Sequence, residues 1–311
     1  MANHDESYRY VDLNEARSFI ERCMQSVGTK PSHAAALAEV LVKADYRGHY
    51  SHGINRLDVY LDDIKKKTTV SDTEPSIVKE NVATGYVDGC NLLGPVVGKF
   101  CMELAIKKAK EAGIGWVVAN APAKDGDSFV LDMATSAVAL GKVEIADRAE
   151  TSIPQGWGVD STGQITTDSK SVLQGGGLLP LGGSEETSGY KGYGLAMMVE
   201  MFCGILGNGD FGPNIRRWKD ADRVANLGQC FVAIDPESFA PGFTDRMQSL
   251  IDICRGQQPA EGESEVLIAG DPERIHMKKV DRDGGLRYHI NLINALDKIA
   301  VELGVTKLKT L

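Results

Sequence analysis

The sequence predicts a layered α/β domain that is flanked by a helical part. Three consecutive segments with apolar residues at helical spacing open the chain. After residue 75, short strand-like segments alternate with amphipathic helical ones, and strands joined by crossover helices form layered α/β domains. We therefore expect the helical part to comprise residues 1–85 and 275–311, and the α/β part to comprise residues 86–274.

Three helices are predicted at the start of the chain. The first begins at Asp12, whose carboxylate can cap it while Glu15 reaches back to complete a capping box. The second starts at about Ser32 and ends near Gly48, and the third runs from about Gly53. The apolar face of the first helix consists of Ala16, Phe19, Ile20, Cys23, Met24 and Val27.

Strands and helices alternate in the rest of the chain. The predicted strands cover residues 76–81, 84–89, 114–119, 127–133 and 229–235, of which 114–119 is expected to be buried. The predicted helices cover residues 94–112, 191–206, 241–256 and 290–303, of which 191–206 is expected to be buried.

Composition and charge exclude several classes of partner. The apolar fraction of 42% is that of a soluble globular protein, and a net charge of −9 argues against nucleic acid and anionic membranes as partners. No apolar run is long enough to cross a bilayer. The six cysteines are scattered without a C-x-x-C pair, which favours buried reduced thiols in a cytoplasmic protein.

Several catalytic motifs are absent. The chain has no H-E-x-x-H, G-x-S-x-G or Walker sequence and no spaced Cys/His cluster, so no metal site is expected. Gly207–Gly212 matches G-x-G-x-x-G, but it follows a predicted helix instead of a strand and is interpreted as a turn. His276 and His289 lie near predicted element ends without an evident partner, which indicates structural or surface roles.

The stretch YRGHYSHGINRL, residues 46–57, carries two of the six histidines at a predicted helix boundary. Arg56 offers a fork of donors that suits a carboxylate, and His52 can bond a hydroxyl or carbonyl oxygen near neutral pH. Ser51 adds an orienting hydroxyl. His52 and Arg56 share a face if the third helix already includes residue 52. The set would suit a 2-hydroxy or 2-oxo acid; the alternative is a capping serine beside a surface histidine and arginine.

A glycine-rich loop over residues 174–196 leads into the predicted helix, with Lys191 at the junction. Backbone amides at a helix N-terminus together with a lysine can bind an anion such as a cofactor phosphate. The alternative is a mobile surface loop.

Four segments, in order, are similar to the type-2 malate/L-lactate dehydrogenases. DYRGHYSHGINRLDVYL (Asp45–Leu61) is close to the family signature D-x-R-G-x-x-S-H-G-x-x-R-L. The other three segments are Ser128–Arg148, Leu178–Glu200 and Phe211–Trp218. The resemblance covers nearly the whole chain, and the glycine-rich loop is most similar to the malate dehydrogenase branch. It implies an NAD(P)-dependent oxidoreductase of 2-hydroxy acids with a family-specific α/β fold that is not a Rossmann fold.

The resemblance also implies roles for residues. Ser51, His52 and Arg56 fall on substrate-binding positions, which makes the helical part the substrate side. The cofactor-binding positions are Asp132, Met133, Ala134, Lys191, Gly270 and Asp271. NAD is the expected cofactor, with NADP possible, and a homodimer is expected. Malate or L-lactate is the expected substrate, and activities on other 2-keto acids, ureidoglycolate or cyclic imino acids remain open.

A block of about fifty residues that the family carries is missing near residues 119–121, as the length of the chain also indicates. In the family, a strand like GIGWVVA leads into a loop whose histidine is the usual proton acceptor. Here no histidine lies between His52 and His276, so the catalytic residue is unassigned. A positioned base contributes about 10² to 10⁴ in rate. The alternative is therefore an inactive variant or a non-catalytic dimer partner, arising from splicing or gene assembly, from degeneration, or from a sequence that lacks a segment.

Overall fold

Two compact units make up the chain. The computed structural model describes residues 7–116, 121–122, 127–217 and 222–311. The first unit contains Met1–Val130, Ile215–Asn226 and Cys230–Leu311, and the second contains Leu131–Asn214 and Leu227–Gln229. The mixed α/β class is confirmed. The division into substrate and cofactor parts at residues 85 and 275 is a functional one and stays a prediction, and the expected missing block near 119–121 adjoins residues outside the described ranges.

Ten helices lie in the described ranges. They are α1 (Leu13–Ser26), α2 (Pro31–Tyr46), α3 (Leu57–Lys65), α4 (Gly94–Ala112), α5 (Leu140–Arg148), α6 (Ser169–Leu173), α7 (Gly189–Val199), α8 (Phe243–Arg255), α9 (Asp271–Asp283) and α10 (Ile290–Leu303).

The strands form small sheets, and all of their pairings are antiparallel. The strands are β1 (Tyr8–Val11), β2 (Ser76–Glu80), β3 (Gly85–Asp88), β4 (Ile114–Gly115), β5 (Ala121–Pro122), β6 (Ser128–Phe129), β7 (Gly158–Val159), β8 (Ile165–Thr166), β9 (Gly177–Leu178), β10 (Ala233–Ile234) and β11 (Leu286–His289). The paired strands are β1–β11, β2–β3, β4–β10 and β5–β6, together with a three-stranded sheet in the order β8–β7–β9.

Helix α1 begins as predicted, with one difference. The Asp12 carboxylate accepts hydrogen bonds from the backbone amides of Asn14 and Glu15 at 2.8 and 3.2 Å, which confirms the cap. The Glu15 side chain does not complete a capping box. It accepts instead from Arg22 Nη2 at 2.9 Å, a charge-assisted bond, and from the Lys309 amide at 3.2 Å.

The main core lies in the first unit, between α1, α2, α3, β11 and α10. Five of the six residues predicted for the apolar face of α1 are buried in it, and Val27 packs against its edge. Sheet β1–β11, which was not predicted, brings two distant parts of the chain together and places Tyr288 in this core. The largest fully buried side chains include Phe19, Ile20, Met24, Leu37, Leu41, Ile54, Leu57, Leu286 and Leu296.

Helix α4 has the predicted bounds. It ends at Gly113, which adopts φ +81°, a left-handed conformation that glycine accommodates at a helix end. The strands that follow are much shorter than expected. β4 and β10 have two residues each in place of 114–119 and 229–235, and Trp116, predicted to be buried, is 44% exposed. Residues 117–119 of the predicted strand lie outside the described ranges.

The second unit has its own small core of Val138, Val143, Ile153 and Val172. The prediction of a buried helix over residues 191–206 is wrong about burial. Helix α7 and the π-helical turn after it, Glu200–Ile205, are mainly exposed, since only the glycines Gly189, Gly192 and Gly204 are buried along them. A helix that is apolar on all faces is normally covered. The exposed apolar residues here are Tyr190, Tyr193, Leu195, Met197, Met198, Val199, Met201, Ile205 and Leu206.

All six cysteines lie among the described residues and are thiols. Only Cys23 is fully buried, so the expectation of buried thiols holds for that residue alone; burial raises its pKa to about 11. Among the described residues, no group of His, Cys, Asp and Glu could hold a metal ion, and no helix is long and apolar enough to span a membrane.

Candidate functional site

A turn between α2 and α3 carries the residues predicted to bind substrate. Helix α2 ends at Tyr46, Gly48 follows with φ +91°, and two short 3-10 turns come next, Tyr50–His52 and Ile54–Arg56. Helix α3 begins only at Leu57. His52 and Arg56 therefore do not lie on one helical face, and the turn itself brings them together.

Hydrogen bonds within the turn join the three predicted residues. Ser51 Oγ lies 2.8 Å from His52 Nδ1, and Arg56 Nε donates to the Ser51 carbonyl oxygen at 2.6 Å. Ser51 and His52 are exposed and Arg56 is half-buried. The hydroxyl of Ser51 caps neither α3 nor the 3-10 turns. This geometry differs from the alternative of a capping serine and gives the three side chains a fixed relation to one another.

Asp45 holds this turn through hydrogen bonds of its buried carboxylate, a role that the sequence did not reveal. The residue is fully buried in the last turn of α2, and its Oδ2 accepts from the Ile54 amide at 2.8 Å and from the Tyr288 hydroxyl at 2.7 Å. Gly53 lies against the carboxylate so closely that a Cβ there would overlap it. Burial raises the pKa of Asp45 to about 7, although the bonds from Ile54 and Tyr288 act in the opposite direction.

Helix α9 packs against the other side of the turn. His49 Nε2 lies 3.3 Å from Glu273 Oε1, and the Tyr50 hydroxyl lies 3.4 Å from His276 Nε2. His276 also packs on Gly48, where a Cβ would lie 3.1 Å from the imidazole. Burial lowers the pKa of His276, and the charges of Lys279 and His49 lower it further. His276 thus has partners that its sequence context did not reveal.

A cavity of about 490 Å³ opens beside the turn, between β1, β11 and α9. Tyr50, Asn55, His276 and Arg287 are among the residues that line it. His289 lies at its edge and caps α10, since its Nδ1 accepts from the Asn291 amide at 3.2 Å. Histidine is not among the preferred N-cap residues, so the sequence did not reveal this cap.

Gly270 and Asp271, predicted to bind cofactor, form the start of α9. Both carboxylate oxygens of Asp271 are engaged, with two bonds to Arg255 at 2.7 and 3.0 Å and two to Arg274 at 2.7 and 3.1 Å. These arginines hold the pKa of Asp271 well below its usual range. Gly270 adopts φ +102° and packs against Arg274 and Val130, which requires glycine. The arrangement favours a structural role for Asp271, and its cofactor contact stays a prediction.

Asp132, Met133 and Ala134 lie in the second unit and are exposed in an irregular segment. Backbone hydrogen bonds to another segment begin immediately after them. The Thr135 carbonyl accepts from the Leu181 amide at 2.8 Å. Gly192 of α7 in turn packs against the Leu181 backbone, where a side chain would not fit. The three residues are therefore connected through this pairing to the start of α7.

Lys191 is the third residue of α7 and is exposed. Its ammonium lies 5.9 Å above the Tyr190 ring and makes no ion pair with any residue in the described ranges. The loop before it is closed by a bond from the Gly189 amide to the Ser184 carbonyl at 2.8 Å and by one from the Thr187 hydroxyl to the Gly182 carbonyl. An exposed lysine beside helix N-terminal amides fits a phosphate group.

The model of the malate/L-lactate dehydrogenase family matches residues 11–121 and 118–297. The two matches meet at residues 118–121, where a missing block is expected.

Individual relatives match over almost the whole chain. A malate dehydrogenase of Pyrococcus horikoshii is 31% identical over 354 aligned positions, which cover 97% of each chain. An L-sulfolactate dehydrogenase of Methanocaldococcus jannaschii is 34% identical, covering 94% of this chain and 96% of that one. An NAD(+)-dependent ureidoglycolate dehydrogenase of Escherichia coli is 29% identical, covering 88% and 91%. Because this chain has 311 residues, at least 43 of the 354 positions face a gap in it.

Solved structures have the same fold. The malate dehydrogenase of Pyrococcus horikoshii superimposes with a TM-score of 0.86 at 30% identity, covering 98% of both chains. The sulfolactate dehydrogenase of Methanocaldococcus jannaschii superimposes with a TM-score of 0.84 at 31% identity, covering 96% of this chain and 98% of that one.

Proposed function

Because this chain belongs to the malate/L-lactate dehydrogenase family, we propose that it transfers a hydride between a nicotinamide dinucleotide and a small 2-hydroxy acid. The observation that carries the proposal is the turn in which Ser51, His52 and Arg56 are joined by their own hydrogen bonds. Malate is the first candidate substrate, and L-lactate the second. The names of the relatives add sulfolactate and ureidoglycolate to the acids worth testing.

Each residue of the turn contributes a different interaction with the acid. Arg56 supplies a guanidinium, whose Nε donates to the Ser51 carbonyl, and binds the substrate carboxylate. His52 bonds the oxygen on C2, which is a hydroxyl in one direction of the reaction and a carbonyl in the other. Ser51 Oγ, through its contact with His52 Nδ1, sets which tautomer of the imidazole faces the acid.

The proposed cofactor-binding residues of the second unit lie at the start of α7 and in the segment before Thr135. Lys191 and the amides of the first turn of α7 bind a phosphate of the dinucleotide, and Asp132, Met133 and Ala134 contact its remainder. NAD is the proposed cofactor, with NADP as the alternative. When bound, the nicotinamide ring supplies the hydride acceptor or donor. Gly270 and Asp271 contribute by fixing the start of α9.

A second candidate function is a non-catalytic member of the family, either an inactive variant or a dimer partner of an active homologue. At least 43 alignment positions without counterpart residues favour it, together with the lack of any histidine between His52 and His276. Alcohol oxidation must release a proton, and a missing base would slow that step by about 10² to 10⁴. His52 is the one candidate substitute that the turn offers. A homodimer in the cytoplasm completes the proposal.

Cofactor and substrate binding can be tested separately. Quenching of NADH and NADPH fluorescence should reveal one preferred cofactor, and Lys191→Gln should weaken its binding while Lys142→Gln, an exposed lysine in the same unit, should not. Calorimetric titration of the cofactor complex with malate, L-lactate, sulfolactate and ureidoglycolate then identifies the acid. A folded protein that binds neither cofactor would contradict the proposed dehydrogenase function. Sedimentation velocity of the same sample tests the homodimer.

A further inference from the structure

A buried carboxylate joins the substrate turn to a strand far away in the sequence. Asp45 Oδ2 accepts from the Ile54 amide of the turn and also from the hydroxyl of Tyr288 on β11, at 2.8 and 2.7 Å. Both side chains are almost completely buried, with Asp45 at 0% and Tyr288 at 1% exposure. A buried carboxyl group needs hydrogen bonds in place of the water it has lost. The two bonds therefore fix the Asp45 carboxyl group, the Ile54 amide and the Tyr288 hydroxyl relative to one another.

The Ile54 side chain also packs in the main core, and His49 and Tyr50 contact α9. Among the described residues, however, Asp45 is the fully buried side chain that accepts a hydrogen bond from the backbone of the turn. Within it, the hydrogen bonds run from the His52 amide to His49, from the Arg56 amide to Gly53 and from Arg56 Nε to Ser51. These bonds shape the turn but do not tie it to the core. Asp45 does so at the point between the two 3-10 turns, next to Gly53, whose missing side chain lets the backbone approach the carboxylate.

We propose that Asp45 and Tyr288 are positioning residues, which hold the Ser51–Arg56 turn in the conformation that binds the acid. The proposal rests on the proposed function for the identity of the acid but not for the mechanical role. Neither side chain touches substrate in this scheme. Asp45 acts through the Ile54 amide and the Gly53 backbone, and Tyr288 acts by holding the Asp45 carboxylate in place. Asp45 Oδ1, which has no hydrogen-bond partner within the described ranges, presses against Gly53.

Hydrogen–deuterium exchange of the intact chain tests the mechanical role without a ligand. Tyr288→Phe removes one hydrogen bond and little else, and we expect exchange over residues 50–57 to rise about fivefold, the factor for one net bond of ordinary strength. Asp45→Ala should raise it further, and Asp45→Asn, which keeps an acceptor oxygen, should lie nearer the wild type. Leu296→Ala, a fully buried residue of the same core, controls for loss of stability and should leave residues 50–57 at the wild-type rate below its melting temperature.

Malate binding by the cofactor complex is the second readout. The Kd should rise in the order wild type, Asp45→Asn, Asp45→Ala and stay unchanged in Leu296→Ala; for any active sample, KM should rise more than kcat falls. Unchanged exchange over residues 50–57 in folded Tyr288→Phe and Asp45→Ala, or an equal rise in Leu296→Ala, would overturn the proposal. If the wild type binds no malate while the exchange pattern holds, the proposed substrate is wrong and the positioning role stands.

Discussion

Arg255 and Asp271 form a paired salt bridge in which two guanidinium nitrogens donate to the two carboxylate oxygens at 2.7 and 3.0 Å. The same guanidinium donates to Asp127, which lies beside β6, at 2.6 and 3.2 Å. One arginine on α8 therefore holds together the start of α9 and the segment at Asp127. Since α9 also packs against the substrate turn, this network supports a helix that contacts the predicted site.

Arg255→Gln should destabilise the protein. The substitution leaves the buried carboxylate of Asp271 and the half-buried one of Asp127 with fewer donors. We expect a loss of about 1–3 kcal/mol in the free energy of unfolding, because charge-assisted pairs of this kind exceed ordinary surface ion pairs. Arg246→Gln on the same helix is the matched control, since within the described ranges that arginine bonds to the backbone carbonyls of Ala240 and Pro241 and to no carboxylate. Urea titration of both variants makes the comparison, and equal midpoints would contradict it.

The free energy of unfolding should fall as the pH rises through 7, because the folded protein must then ionise the buried Asp45. Its pKa is about 7 in the folded protein against an ordinary value of 3.8, so the folded state binds the proton more tightly. Stability from this group is complete below pH 4 and is lost as the pH rises through 7. Asp45→Asn removes this loss. Relative to the wild type, the variant should gain on the order of 4 kcal/mol between pH 4 and pH 8, at most.

Asp168→Asn is the control for that measurement. Hydrogen bonds from Ser171 lower the pKa of the Asp168 carboxyl, so it is ionised in both folded and unfolded states throughout this range. Its stability difference from the wild type should stay constant between pH 5 and pH 8. A constant difference for Asp45→Asn as well would show that the buried carboxylate does not change its protonation there.

Gly53→Ala should disrupt the turn more than its size suggests. A Cβ at this position would overlap the Asp45 carboxylate, which is held by Ile54 and Tyr288 and cannot move aside. We expect a loss of about 2 kcal/mol or more, from overpacking of a filled site. Gly141→Ala is the control, because nothing lies within 4 Å of a Cβ there and alanine favours the helix. Thermal unfolding that ranked the two variants equally would refute the expectation.

Helices with clear end signals were predictable from the sequence, and α4 is the best example. Its apolar period and Gly113 fix both its bounds, and α8 and α10 were predicted nearly as well. The β1–β11 pair was not predictable, because its two strands have four residues each and lie at opposite ends of the chain. Short strands are stabilised by their partners, and local sequence carries little of that information.

The substrate-binding residues were predictable from the sequence, but the buried residues that hold them in place were not. Ser51, His52 and Arg56 were found because serine, histidine and arginine at that spacing suit an acid and match a family signature. Asp45 begins the same signature, yet nothing local indicates that its carboxylate is buried or that its second partner is Tyr288. The exposure of α7 was equally hidden, since a period of apolar residues shows a helix and not what covers it.

Steady-state oxidation of NADH and NADPH by the purified 311-residue chain, with oxaloacetate as the acceptor, tests the central claim most directly. We predict turnover with one of the two cofactors, abolished in Arg56→Gln and retained in Arg17→Gln, an exposed arginine of α1. Turnover that also disappears in His52→Ala would show that the reaction requires the turn. A folded chain that oxidises neither cofactor with oxaloacetate or pyruvate would contradict the dehydrogenase and leave the non-catalytic family member.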